Sequence, residues 1–183
     1  MKTIPELKKK YKEVVIPAMK EKFGLKNDLA VPKVEKVVVN VGLNVNLLKD
    51  PQFEKVVEDS IMRITGLRPL KTKAKKSISS FKVKKGMIIG MMVTLRRDRM
   101  YDFLYKLINV TLPRVRDFKG LSPNSVDKDG NLTIGFKENI CFPEIRPDEV
   151  EKLHGLEVTI VTNAKDREKG LELLKLLGFP FKV

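Results

Sequence analysis

Apolar residues recur at helical spacing from the start of the chain. Ile4, Leu7, Tyr11, Val14, Ala18 and Met19 are separated by lysines, which predicts an amphipathic helix over 3–23. Pro17 lies inside it and, lacking an amide hydrogen, is expected to kink or divide it. The period then changes. "VEKVVVNVG" (34–42) is β-branched and bounded by Pro32 and Gly42, the pattern of a strand. Asp50 followed by Pro51 opens a second helix over 51–65 and Gly66 closes it, with Phe53, Val56, Val57, Ile61 and Ile64 on one face. Residues 69–73 and 82–96 read as two strands joined by a lysine-rich connection. A helix follows from near Asp98, with Met100, Phe103, Leu104, Leu107 and Ile108 inward and Pro113 beyond its end. In "SVDKDGNLTIGF" the pair Asp129–Gly130 separates two alternating runs, a hairpin signal. "LEVTIVT" (156–162) is a last strand, and "DREKGLELLKLLGFP" a terminal helix closed by Gly178 and Pro180.

No repeat, linker or low-complexity stretch interrupts the pattern, and 183 residues suit one domain, 1–183, with a substantial core. Strands mixed with helices predict an α+β fold: a mainly antiparallel sheet with helices packed on one face and an extended basic loop. The other sheet face is then free for a partner.

Alternation assigns the faces. Val37, Val39 and Val41 share one side of the first strand, and Lys36, Val38 and Asn40 the other. Met87, Ile89, Met91, Val93 and Leu95 form an apolar side of the later strand; Ile88, Gly90, Met92, Thr94 and Arg96 lie opposite. If the apolar sets meet the helices, Lys36, Asn40, Thr94 and Arg96 project from the uncovered face. Short hydrogen-bonding groups flanked by cations suit the phosphates, 2′-hydroxyls and base edges of RNA; an ordinary solvated face carries the same pattern.

Charge sharpens this picture. The formal net charge is +14, with 42% hydrophobic and 33% charged residues, so the chain is a globular protein suited to a polyanion, nucleic acid or an anionic membrane surface. "RPLKTKAKKSISSFKVKKG" (68–86) holds eight Lys and Arg and no acidic residue. Self-repulsion there requires either water or a polyanion against it. Ser77, Ser79 and Ser80 add donors for phosphate, and Phe81 is expected to anchor the segment in the core rather than to stack on a base. Residues 138–157 are the contrast, with Glu138, Glu144, Asp148, Glu149, Glu151 and Glu157 against Arg146 and Lys152, a surface for a basic protein. The longest apolar run, "GMIIGMMVTL" (86–95), is far shorter than the roughly 20 residues of a membrane span. No signal peptide is visible and Cys141 is the single cysteine, so a soluble, cytosolic protein with no membrane partner is expected.

The sequence carries no recognisable catalytic constellation. His154 and Cys141 are the only residues of their types, so no histidine–cysteine metal cluster forms within one chain, and no metal or cofactor is expected. Cys141 and His154 could form a dyad, but in the apolar run "NICFPEI" a buried cysteine is the expectation. "GLNVNLLK" lacks the second glycine and the Lys-Ser/Thr pair of a phosphate-binding loop. No acid–base pair stands out, so no enzyme is expected.

"RPLKTKAKKSISSFKVKKGMIIGMMVTLRRDRMYDFLYKL", then "LPRVRDFKGLS", "NLTIGFKE", "FPEI" and "LLGFPF" in order, resemble the family of the bacterial large-subunit ribosomal protein number five through nearly the whole chain. The resemblance implies a structural protein in the cytoplasmic large ribosomal subunit. It would bind 5S rRNA, anchor it in the central protuberance, and contact 23S rRNA. Asn40 and Thr94 match family positions that hydrogen-bond 5S rRNA from the sheet; with Lys36 and Arg96 of the same face, and Arg68, they are the expected rRNA contacts. A loop from Lys71 to Lys85, with Lys71, Lys73, Lys75, Lys76, Lys82, Lys84 and Lys85, would approach P-site tRNA. A surface from about Ile134 to Leu153, including Glu138, Glu144, Arg146, Asp148 and Glu149, would bridge to small-subunit ribosomal protein number thirteen. The chain departs from the family where Leu67 replaces a common glutamine, Ile88 a common proline and Met91–Met92 a more polar pair. "VNVGLN" also lacks a second glycine.

Overall fold

The computed structural model describes residues 5–43, 51–146 and 153–182. Ile4, Asp50, Asp148, Glu149, Glu151 and Lys152, used above, lie outside them. The strands are β1 (Val34–Gly42), β2 (Leu70–Lys73), β3 (Ile88–Leu95), β4 (Leu132–Phe136) and β5 (Leu156–Thr162). They form one five-stranded antiparallel sheet in the order β2-β3-β1-β5-β4. The helices are α1 (Glu6–Lys10), α2 (Ile16–Phe23), α3 (Pro51–Thr65), α4 (Arg97–Lys106) and α5 (Arg167–Leu177). The expected α+β class is the one observed.

The residues cluster into two compact units. One comprises residues 1–37, 95–134 and 159–183, the other 38–94 and 135–158. In the first, α1 runs through a π-helical turn, Tyr11–Val15, into α2. The cause is Pro17: its ring crowds the carbonyl four residues back and it donates no hydrogen bond, and a wider turn relieves both. The extra residue also rotates the face. Val15 is fully buried, whereas Val14, expected inward, is 49% exposed. α1 packs on α4 and the π turn on α5. The Tyr11 hydroxyl donates to the Pro32 carbonyl at 3.0 Å, and burial pushes its pKa up to about 12. α4 buries Met100, Phe103 and Leu104, and the π turn Leu107–Thr111 that follows it buries Leu107.

The turn before β4 is tighter and shorter than a hairpin. Asp127 Oδ1 accepts from the amides of Asp129 and Asn131, and Val126 and Leu132 form an isolated bridge. A second strand is missing there because residues 123–125 coil into a 3-10 turn opened by Pro123. Gly130 in this turn touches Gly170 of α5: a Cβ on Gly170 would sit 2.4 Å from the Gly130 Cα. Asp166 caps α5 by accepting from the Glu168 amide at 3.0 Å, and Gly178 ends it at φ 110°.

In the second unit, α3 buries Phe53, Val57, Ile61 and Ile64, four of the five residues expected on its face; Val56 is half-buried. Val39 and Val41 of β1 and Met91 and Val93 of β3 are buried as the alternation predicts. β2 and β3 pair antiparallel, with Leu70 opposite Met92 and Thr72 opposite Gly90. β3 starts at Ile88, not at Lys82. Residues 74–87 instead close a small turn of their own: Ala74 donates to Met87, and Ile78 and Val83 bond each other at 2.9 and 3.1 Å around a 3-10 turn at Ser79–Phe81.

Candidate RNA interface

The face of the sheet opposite the buried valines begins with strand β1. Its alternate residues Val38 and Asn40 are half-buried, and Thr94 on the neighbouring β3 is exposed beside half-buried Met92. Neither Asn40 nor Thr94 has a side-chain hydrogen bond among the described residues, so an amide and a hydroxyl stand ready to bond a ligand. Lys36 lies on the same side of β1, half-buried. Arg96 is exposed one residue past the end of β3, its backbone still extended at φ −141°.

The basic residues divide into two groups. Lys71 Nζ lies 2.6 Å from Glu54 and 3.2 Å from Glu58, and Arg68 Nε lies 3.1 Å from Glu58. The carboxylates of α3 thus hold the strand end. Hydrogen bonds donated by Lys71 and then Arg68 draw the Glu58 pKa down against burial, and the bonds Lys71 donates to Glu54 and then Glu58 raise its own pKa. Lys73, Lys75, Lys76, Lys82, Lys84 and Lys85 are all exposed and carry no ion pair among the described residues. Six cations are free for phosphates, and Lys71 and Arg68 are engaged by the protein itself. Sequence spacing could not show this, because Glu54 and Glu58 become neighbours of β2 only through tertiary packing.

Phe81 departs from expectation. It is 69% exposed, not in the core, because the turn closed by Ile78 and Val83 presents it outward. Leu67 is half-buried, and its amide donates to the Thr65 hydroxyl at 3.3 Å.

On the acidic side, Glu138 and Glu144 are half-buried and Arg146 is exposed; Asp148 and Glu149 lie outside the described residues. Cys141 is half-buried rather than buried, and its thiol donates to the Glu138 carbonyl at 3.2 Å. His154 is buried. The Asn139 amide nitrogen, a donor only, lies 3.2 Å from Nε2, so the neutral ring accepts there and donates from Nδ1 to the Gly155 carbonyl at 3.3 Å. With both nitrogens used, the imidazole is no base for Cys141. Burial holds the His154 pKa below its ordinary value, against the Gly155 carbonyl. The unfolded chain therefore takes up this proton first. The contribution of neutral His154 is fully present above about pH 6.5 and declines as the pH falls towards the folded-state pKa. Thermal unfolding at pH 7.5 and 5.5 should show a lower midpoint at pH 5.5, and His154→Gln should reduce that difference.

Among the described residues there is no group of three or more His, Cys, Asp or Glu able to hold a metal ion. No helix among them is long and apolar enough to cross a membrane.

Two family models match in tandem: Ribosomal protein L5 over residues 27–84 and the ribosomal L5P family C-terminus over residues 88–181. The chain belongs to the ribosomal protein L5 family. Membership makes it a structural ribosomal protein rather than an enzyme. Relatives named large ribosomal subunit protein uL5 align almost end to end. The one from Halothermothrix orenii is 55% identical over 175 residues, 96% of this chain and 97% of the relative. That from Carboxydothermus hydrogenoformans is 53% identical over 178 residues, covering 97% and 99%. That from Dictyoglomus thermophilum is 54% identical over 176 residues, covering 96% and 98%. The first match spans β1, α3 and the lysine-rich segment as far as Lys84, and the second takes in β3, so Asn40, Thr94 and five of the six exposed lysines lie within family-matched sequence, while Lys85 falls between the two matches.

Proposed function

We propose that the chain is a structural constituent of the large ribosomal subunit that acts as a single binding module. It binds 5S rRNA through the open strand face and anchors it in the central protuberance, with further contacts to 23S rRNA. The observation that carries this reading is the pair Asn40 and Thr94: side chains able to bond an RNA base edge or 2′-hydroxyl, on neighbouring strands, with no side-chain hydrogen bond among the described residues. Lys36 on β1 and Arg96 just past the end of β3 would add phosphate contacts. Arg68, already paired with Glu58, would reach RNA only with its remaining guanidinium donors. The segment 71–85 would meet P-site tRNA through its six free lysines. The surface 134–153 would bridge to the basic small-subunit protein number thirteen, with Glu138, Glu144, Arg146, Asp148 and Glu149 contributing.

Equilibrium binding to 5S rRNA across a salt series, with tRNA and anionic vesicles as competitors, tests the reading. Tight binding that neither competitor displaces is expected. Asn40→Ala and Thr94→Ala should each cost about 1–3 kcal/mol of 5S rRNA affinity, the range for leaving a buried polar partner unsatisfied. Wild-type affinity in either variant removes that residue from the interface. Equal affinity for every polyanion would reduce the surface to unspecific electrostatics.

A further inference from the structure

We propose that the cleft beside the lysine-rich segment takes one unstacked RNA base, with Phe81 as its stacking surface. This rests on the RNA-binding reading above. The cleft has a volume of about 590 Å³, within the roughly 300–1,000 Å³ of small-molecule sites. Its walls are apolar, with Ile78, Phe81, Val83 and Ile89 among them, and Lys75 and Lys76 also line it. Phe81 is 69% exposed, Ile78 48% and Ile89 36%. Large apolar side chains are thus held in water next to one another. An exposed apolar patch of this kind, beside charged groups, marks a binding surface more often than a lone exposed side chain does.

The backbone holds the ring out rather than leaving it to fold back. Ile78 and Val83 exchange two hydrogen bonds at 2.9 and 3.1 Å. Lys82 closes the 3-10 turn with φ 54°, its amide donating to Ser79 at 3.0 Å. A left-handed backbone at a lysine is uncommon, and its cost is offset only by the turn it completes. The lysine-rich connection is therefore a built platform as well as a charged run.

Charge selects the occupant. Residues 68–86 carry eight Lys and Arg and no acid, so a second copy of this chain would bring like charges together. A nucleotide supplies both halves of the complement in one unit: a flat π-face for Phe81 and phosphates for Lys75 and Lys76. Stacking needs no particular base, so the site would select unpaired over paired nucleotides rather than one sequence.

The test compares two RNA probes with full-length protein. One is a hairpin with 2-aminopurine in its unpaired loop, the other a blunt duplex with the same number of phosphates. The hairpin should bind more tightly and its fluorescence should be quenched. Phe81→Ala should weaken the hairpin by about 5- to 150-fold, the range of one base–aromatic stack, leave the duplex unchanged, and keep the slope of log affinity against log salt. Phe81→Trp should restore binding. The melting temperature should stay that of wild type, because the ring is mostly in solvent. Equal weakening of both probes, or an unquenched probe, overturns the proposal. So does loss of a dimer on sedimentation of Phe81→Ala, or an NMR contact between the Phe81 ring and residues 44–50, since either gives the cleft another occupant. If wild type binds 5S rRNA tightly yet does not distinguish the probes, only this inference fails. If it does not bind 5S rRNA at all, the reading beneath it fails as well.

Discussion

Replacing Lys73, Lys75, Lys76, Lys82, Lys84 and Lys85 together by glutamine is expected to flatten the salt dependence of tRNA binding by about 4–5 in the log–log slope. Each phosphate neutralised releases counterions worth roughly 0.7–0.9 of slope, and these six ammonium groups are exposed and carry no ion pair among the described residues. Lys71→Gln alone is expected to change the slope little, because its ammonium already lies 2.6 Å from Glu54 and 3.2 Å from Glu58. Summing the cations by sequence would give Lys71 the same weight as its neighbours, and the structure removes it. The 5S rRNA affinity of the six-lysine variant should fall much less, since Asn40 and Thr94 are untouched. Filter binding or anisotropy at four salt concentrations separates the two RNAs. Parallel losses for both would mean that loop and sheet face do not divide the work, and a full unit of slope lost in Lys71→Gln would mean that RNA displaces the α3 carboxylates.

The regular elements were legible wherever one local signal decided them. β1, α3 and β5 start and stop where their β-branched runs, Pro51 and Gly66 place them, and α5 is capped at Asp166 and Gly178. The errors share a cause: a local pattern overridden by something outside its window. Val14 turned outward because relief of Pro17 widened the helix upstream of it. Lys82–Met87 alternates like a strand, yet β2 ends at Lys73, so the paired ladder has no partner for it and the segment bonds to itself. The run before Asp129–Gly130 lost its strand to the turn at Pro123. The open face was readable from period-two alternation alone. Which cations on and beside it are free was not, because pairing of Lys71 and Arg68 with α3 joins residues 10–17 positions apart through the fold. Phe81 failed for a related reason: aromatic residues are usually inside, and only the turn geometry shows that this one is presented outward.

Gly170→Ala is expected to be among the most destabilising single methyl additions in the protein. Helix propensity alone argues the reverse, since alanine inside a helix is favoured over glycine by about 1 kcal/mol. The contact decides the sign. The new Cβ would lie 2.4 Å from the Gly130 Cα, 2.6 Å from its oxygen and 2.9 Å from its carbonyl carbon, all backbone atoms that no rotamer change can move. Gly130 has no room to retreat. It is held at φ +84° in a turn fixed by the Asp127 carboxylate, and a Cβ of its own would meet Ala164 and the Asp166 carbonyl at 2.9 Å. Overpacking of a filled site costs about 1–3 kcal/mol and sometimes more; here it must also displace a backbone turn or the start of α5. A net loss of about 2–3 kcal/mol is expected. At roughly 2–4 °C per kcal/mol for a chain of this size, the melting midpoint should fall by about 4–12 °C. Gly135→Ala is the control, because nothing lies within 4 Å of a Cβ there, and it should melt close to wild type. If Gly170→Ala instead melts at or above the wild-type temperature, α5 can shift away from the 127–131 turn at little cost, and the Gly130–Gly170 contact is not what fixes the helix against it.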